Sequence, residues 1–223
     1  MIDLHSALRT LATRRPVFHS EADFQHALAW TLHESSPHAT LRLERPVTTP
    51  KGVLHVDLVA YLPQGVLVCE LKYKTRALQY SLGGEQYNLQ SHAAQPIGRY
   101  DFLMDIARLE GACRALSATS CWAILLTNDT VYWTEAGAAS GISAAFSLAP
   151  GRHCSGLLEW GPNTSQGTKR ARDAPITLAG QYCFEWRNYY TLDVPARGQF
   201  RYLAVEIGFG NSPVQQRDER SDG

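Results

Sequence analysis

From Ser20 onward the buried-type positions Phe24, Ala27, Leu28, Thr31 and Leu32 recur at helical spacing, which predicts a helix with one inward face. Ser20 stands at the N-cap, and Glu21 and Asp23 follow in the first turn, where the helix dipole favours acids. At about 100° per residue Glu21 falls inside the buried arc, near the line through Phe24 and Leu28, whereas Asp23, His26 and His33 point elsewhere. Glu21 is thus either a dipole-stabilising acid or an acid aimed into the protein.

After the break at Ser35-Ser36-Pro37 the period changes to two. Residues 41–47, 53–62 and 65–74 alternate and are rich in β-branched and aromatic side chains, which predicts three strands. Pro63-Gln64-Gly65 joins the last two as a hairpin, and Gly83-Gly84 marks a further loop. A second helix is expected over 99–116, burying Phe102, Ile106, Leu109, Cys113 and Leu116. Residues 121–126 (CWAILL) form an almost wholly apolar run, the pattern of a strand covered on both faces. Residues 136–175 are rich in Gly, Ala and Ser, carry the basic run Lys169-Arg170-Ala171-Arg172, and read as an insertion or mobile lid. That run is either a lid over nucleic acid or a solvated loop. Strands resume at 181–186 and 199–207.

The expected fold class is α/β, a mixed central β-sheet flanked by helices, with an inserted, loop-rich C-terminal elaboration. One domain would occupy residues 1–210, with its core at about 17–130, the insertion at 136–175 and closing strands at 181–207; residues 211–223 would be a disordered tail. No glycine-rich dinucleotide or phosphate loop and no G-x-S-x-G elbow occurs, which excludes the nucleotide and serine-hydrolase classes built on them.

Composition narrows this further. Lys+Arg and Asp+Glu both number 21, so a nucleic-acid partner would have to be held by a local basic patch and not by bulk charge. No apolar run is long enough to span a bilayer, and the opening residues lack the apolar stretch of a secretory signal. Five scattered cysteines without a C-x-x-C are expected to be buried free thiols in a reducing cytoplasm.

The candidate chemistry lies on the central hairpin. Asp57 sits in the apolar strand LHVDLVAYL, and Glu70 and Lys72 sit in VLVCELKYK. A carboxylate among apolar strand neighbours is costly unless something satisfies it. Alternation puts Glu70 and Lys72 on one face, and a two-residue loop at Pro63-Gln64 would set Asp57 opposite Glu70, whereas a bulged three-residue loop would shift the register by one. Two such carboxylates make a hard oxygen site suited to Mg²⁺, and Lys72 could orient or deprotonate a water or offset phosphate charge. A cross-strand charge pairing on a solvated face also accounts for Glu70 and Lys72; it accounts less well for Asp57.

Helix-Glu21, strand, strand-Asp57, then strand-Glu70-x-Lys72 resembles the core of the restriction-endonuclease-like, or PD-(D/E)XK, nuclease superfamily over roughly residues 17–130. Val56 stands where the family name has proline. The resemblance implies that Asp57 and Glu70 bind Mg²⁺ (Mn²⁺ as substitute), with the Leu71 backbone carbonyl as a further ligand, that Glu21 supports the site and that Lys72 assists catalysis. Lys74 and Arg76 extend the basic side of the hairpin, and Gln95 and Arg99 precede the second helix; Lys74, Arg76 and Arg99 are the candidate phosphate contacts. Asp101, Asp105 and Arg108 share a helix side that a salt-bridged surface explains. The implied activity is hydrolysis of DNA, or RNA, in host defence, restriction or repair, in the cytoplasm and with no membrane partner. A homodimer or a partner protein would supply the missing affinity. The alternative is an inactive nuclease-like module that binds nucleic acid or protein.

Overall fold

The computed structural model describes residues 3–92, 94–134 and 141–208. The tail at 211–223 and residues 136–140 of the expected lid lie outside the described residues. The elements run α1 (Leu4–Arg14), α2 (Glu21–Ser35), β1 (Thr40–Thr49), β2 (Gly52–Leu62), β3 (Gly65–Lys74), β4 (Leu78–Leu82), β5 (Glu85–Leu89), α3 (Gln95–Ala115), β6 (Ser120–Thr127), β7 (His153–Leu158), the single turn α4 (Gln166–Lys169), β8 (Ile176–Cys183), β9 (Trp186–Thr191) and β10 (Gln199–Glu206).

The fold is α/β with a mixed central sheet. Six strands pair in the order β1-β2-β3-β6-β10-β9, with β3 and β6 parallel and every other pair antiparallel. A parallel pair needs a long crossover, and α3 supplies it. The apolar run of β6 is buried on both faces as its composition requires: Cys121, Ala123 and Leu125 join the core under α3, and Ile124 and Leu126 join the core under α1 and α2. Leu62 pairs with Gly65, so Pro63-Gln64 is a two-residue loop and the register is the one that sets Asp57 toward Glu70. Gly65 has φ +140° with the Thr119 side chain where a Cβ would stand, so the turn needs glycine.

Pairing fails at one position. The β1–β2 ladder runs through Leu43↔Leu58 and resumes at Arg45↔Val56, so Glu44 and Asp57 stand opposite each other unpaired. Glu44 has φ +49°, a left-handed conformation that is strained for a non-glycine residue. Both strands exchange faces there: Leu43 and Leu58 pack toward α1 and α2, whereas Val47 and Val56 pack toward α3. The outer half of the hairpin thus folds onto α3. The β2–β3 ladder also stops at Leu58↔Cys69, one residue short of Asp57.

Several expectations are corrected. The chain holds an unforeseen first helix, α1, capped by Asp3 accepting from the Ser6 N–H and burying Leu4, Leu8 and Leu11. α3 begins at Gln95, not at 99, because proline is tolerated in a first helical turn. Cys113 and Cys121 form a disulfide with Cα atoms 6.3 Å apart, since the turn from α3 into β6 brings them together. Cys69 and Cys154 are buried free thiols as expected, but Cys183 is exposed.

The described part of the expected lid is packed, not loose. Phe146 and Leu148 are fully buried, Tyr100 stacks on Trp160 at 5.6 Å between ring centroids, and the Tyr100 hydroxyl donates to the Ala174 carbonyl. Arg172 forms a two-pronged ion pair with Asp101 at 2.6 and 2.9 Å. Glu110 accepts from the Ala179 and Gly180 amides and the Tyr182 hydroxyl, which anchors β8 to α3. Phe146→Ala should therefore cost about 3–5 kcal/mol of stability in denaturant unfolding. A loss below about 0.5 kcal/mol would show that this stretch is a detachable lid.

Candidate active site

Each candidate side chain is set by a local feature. Ser20 caps α2 by accepting from the Asp23 N–H, which fixes Glu21 as the first helical residue. Glu21 Oε2 then accepts from the Tyr73 N–H at 2.7 Å, and Asp57 Oδ2 accepts from the Leu71 N–H at 2.6 Å. Leu71 and Tyr73 are alternate amides of β3 beyond the end of its ladder with β2, so two carboxylates take the place of strand partners. The Asp57 carbonyl, released from its own ladder, accepts from Gln25 Nε2 at 2.6 Å, and the same amide reaches Glu44 Oε1 at 3.0 Å.

Glu70 and Lys72 share the α3 side of β3. Lys72 Nζ lies 3.1 Å from Asp105 Oδ2, 3.8 Å from Glu70 Oε1 and 4.0 Å from Glu21 Oε1, and donates to the Leu71 carbonyl at 3.2 Å. The Asp57 N–H lies 3.5 Å from Glu70 Oε2. Glu21, Asp57, Glu70 and Lys72 thus converge, and Asp105 from α3 joins them. Glu70 is 7% and Asp105 4% exposed, so neither is a solvated surface charge.

The electrostatics follow from crowding acids around one cation. Burial pushes the Glu70 carboxyl up to about 9, with Asp57 and Asp105 adding to the shift and Lys72 opposing it. Burial likewise raises Asp57 to about 6, against the Leu71 N–H and Lys72, which favour its charged form. Asp105 is also raised, burial outweighing Lys72 and Arg108. Burial alone would lower the Lys72 pKa, but Asp105, Glu21, Glu70 and Asp57 outweigh it and hold its pKa above the ordinary lysine value. Lys72 is therefore held as an ammonium among these acids. The nearest carboxylate to its ammonium is Asp105 at 3.1 Å, with Glu70 farther away at 3.8 Å.

Glu70, Lys72 and Asp105 open into a cleft of about 1100 Å³. Its walls are the folded-over tip of the β1–β2 hairpin at 49–55, α3, and β8 with Arg172. Lys51, Arg108 and Arg114 line it. Among the described residues no three acidic, histidine or cysteine side chains are gathered closely enough to hold a metal ion as they stand. Comparison with protein-family models, with curated proteins and with solved structures found no match. The geometry stands on its own.

The other candidates divide. Lys74 and Arg76 are half-buried beyond Lys72, and the Arg76 N–H is held by Asn128 Oδ1. Arg99 is misplaced as a phosphate contact: it is 3% exposed, donates to the Val131 carbonyl at 2.6 Å and lies over the Tyr132 ring. Gln95 is turned to Asp129. Gln25, Glu44 and Asp105 are the participants that the motif omits. Gln25 is one helical turn after Glu21, so spacing was a usable signal for it; Asp105 left none beyond a charged helix side, and Glu44 none beyond an acid in a strand.

Glu70 has an ordinary carboxyl value of 4.5 when unfolded and about 9 when folded. The folded chain keeps a proton that the unfolded chain has lost, so stability falls as pH rises through this window and levels off above it. Glu70→Gln cannot ionise. In EDTA its melting temperature should gain on the wild type from about pH 5 to about pH 9 and gain nothing further beyond. A constant difference across that range would show that Glu70 is charged throughout.

Proposed function

We propose that the chain is a divalent-cation-dependent phosphodiesterase acting on nucleic acid, DNA in the first place, with Asp57, Glu70 and Lys72 at its centre. The observation that carries this reading is the crowding of carboxylates on one ammonium: Glu70 and Asp105, both buried, meet Lys72 at the wall of the cleft, and the partly exposed Glu21 and Asp57 stand beside them. Burial makes the ionised forms of these acids costly and keeps a proton among them in the free chain, and a hard divalent cation is the species that would take its place. Asp57 and Glu70, with the Leu71 carbonyl, would hold Mg²⁺, or Mn²⁺ in its place. When bound, the ion would lower the pKa of a water so that it gives up a proton to solvent and becomes the nucleophile, and would offset charge on the phosphoryl oxygens.

The chain's own residues have separable tasks. Lys72 keeps its proton and donates toward the phosphoryl oxygens as negative charge develops. Asp105 positions Lys72, and Glu21 fixes the β3 main chain through the Tyr73 amide. Lys51, Arg108 and Arg114 in the cleft, with Lys74 and Arg76 beyond it, would contact flanking phosphates. With zero net charge these local contacts must supply the affinity, so binding should be steeply salt-dependent. A second copy or a partner protein would add to it. No described helix is long and apolar enough to cross a membrane.

A second reading has its own support. The Asp57 and Glu21 carboxylates already satisfy β3 amides, and Lys72 stands amid the acids, as in a nuclease-like binding module without activity. Nicking of supercoiled plasmid with Mg²⁺ separates the two. The wild type should cut and EDTA should stop it. Asp57→Ala and Glu70→Ala should be inactive, Lys72→Ala should lose about 100-fold or more, and Glu21→Ala should lose less. A folded wild type that binds DNA but cuts neither plasmid nor single strands with Mg²⁺ or Mn²⁺ would leave only the binding module.

A further inference from the structure

The β4–β5 hairpin, a separate two-stranded sheet, begins four residues after Lys74 and takes no part in the carboxylate cluster. Its register pairs Leu78 with Leu89, Gln79 with Asn88, Tyr80 with Tyr87 and Ser81 with Gln86. Alternation therefore sorts it into two faces. Tyr87 and Leu89 are buried, with Leu78 and Tyr80 packed beside them, and the Tyr87 ring stacks on His19 at 4.4 Å. His19 Nε2 also meets Glu85 at 2.7 Å, which clamps the hairpin to the start of α2.

The outer face carries Gln79, Ser81, Gln86 and Asn88, all exposed. It presents three carboxamides and one hydroxyl, with neither charge nor apolar group, and Ser81 Oγ donates to Gln86 Oε1. Exposed ribbons ordinarily carry charge that blocks pairing with other chains. A carboxamide instead offers a donor and an acceptor side by side, the complement of adenine N7 and N6 in the major groove.

Cations stand at the foot of this ribbon. Lys74 and Arg76 precede it, and Arg197 Nη1 donates to the Ala77 carbonyl at 3.1 Å. The Asn128 side chain draws the two arginine segments together, accepting from the Arg76 N–H at 2.7 Å and donating to the Arg197 carbonyl at 2.9 Å. Dimensions agree. A two-stranded ribbon enters a major groove about 12 Å wide, and five residues at about 3.4 Å each span about five base pairs. The deep, narrow major groove of A-form RNA would not admit it.

We propose that the β4–β5 ribbon enters the major groove of duplex DNA and reads adenine-bearing base pairs through Gln79, Gln86 and Asn88, while Lys74, Arg76 and Arg197 hold the flanking phosphates. This rests on the DNA-directed reading of the carboxylate cluster, whose target it would select. The test equilibrates a pool of short duplexes with a randomised core against the wild type and the Gln79→Ala/Asn88→Ala double variant. EDTA prevents cutting, and the bound fraction is sequenced. Both residues are exposed, so the variant should fold, as circular dichroism would verify.

The wild type should enrich an adenine-containing element of four to five base pairs by about tenfold or more, the size of one two-pronged base contact, and the variant should bind without that selection. An unselective wild type, or an unchanged profile in the variant, overturns the ribbon; plasmid nicking by the same protein would show that the nuclease reading survives. Selective binding without nicking keeps the ribbon and overturns the nuclease. No binding to duplex DNA overturns the ribbon outright.

Discussion

Everything at this site depends on β2 losing both of its strand partners at Asp57. A left-handed Glu44 breaks the ladder on one side, and the ladder to β3 ends at Leu58 on the other. Backbone groups freed inside a protein must find new partners. The Asp57 carbonyl takes the Gln25 amide, and the Leu71 and Tyr73 amides take the carboxylates of Asp57 and Glu21. The same break folds the outer hairpin onto α3 and so builds a wall of the cleft. Shape and charge arise together from this break in β1 and β2.

The defect also gathers acids around one lysine, with Glu70 and Asp105 buried and Glu21 and Asp57 partly exposed beside them. Four carboxylates gather about Lys72, and burial raises the pKa values of Asp57, Glu70 and Asp105. An arrangement built for stability alone would pair such groups one to one or replace them with apolar side chains. The fixed Lys72 ammonium offsets part of the charge, and the proposal assigns the remainder to a divalent cation. The β4–β5 ribbon lies outside this balance, which is why it can select a sequence without altering the chemistry.

Part of this arrangement is legible in the sequence because strand alternation is a rigid rule, which puts Glu70 and Lys72 on one face. The Pro63-Gln64-Gly65 loop allowed two registers, and only the Leu62–Gly65 pairing sets Asp57 toward Glu70. The exchange of faces at Glu44 is not legible, because Leu41, Leu43 and Val47 keep the same parity although Val47 packs on the opposite side. Asp105 looks like one member of a charged helix surface until the tertiary fold places Lys72 beside it. Pro96 and Gly98 suggest a loop before Arg99, yet the proline opens a helix, and Gly98 leaves room for the Tyr132 hydroxyl. Small residues at 141–175 hide the few large ones, Phe146 and Trp160 among them, that pin the stretch to α3.

The central claim is that the raised carboxyl pKa values mark a cation site. Calorimetric titration of Mn²⁺ at pH 7, in two buffers of different ionisation enthalpy, tests it by counting protons released on binding. Burial keeps a proton on the coupled Asp57–Glu70 pair in the free protein, and an ion bound there must displace it. The account predicts saturable binding with release of about one proton, lost in Asp57→Ala and Glu70→Ala and kept in Lys72→Ala. No saturable binding at millimolar Mn²⁺, or binding that releases no proton, would contradict it.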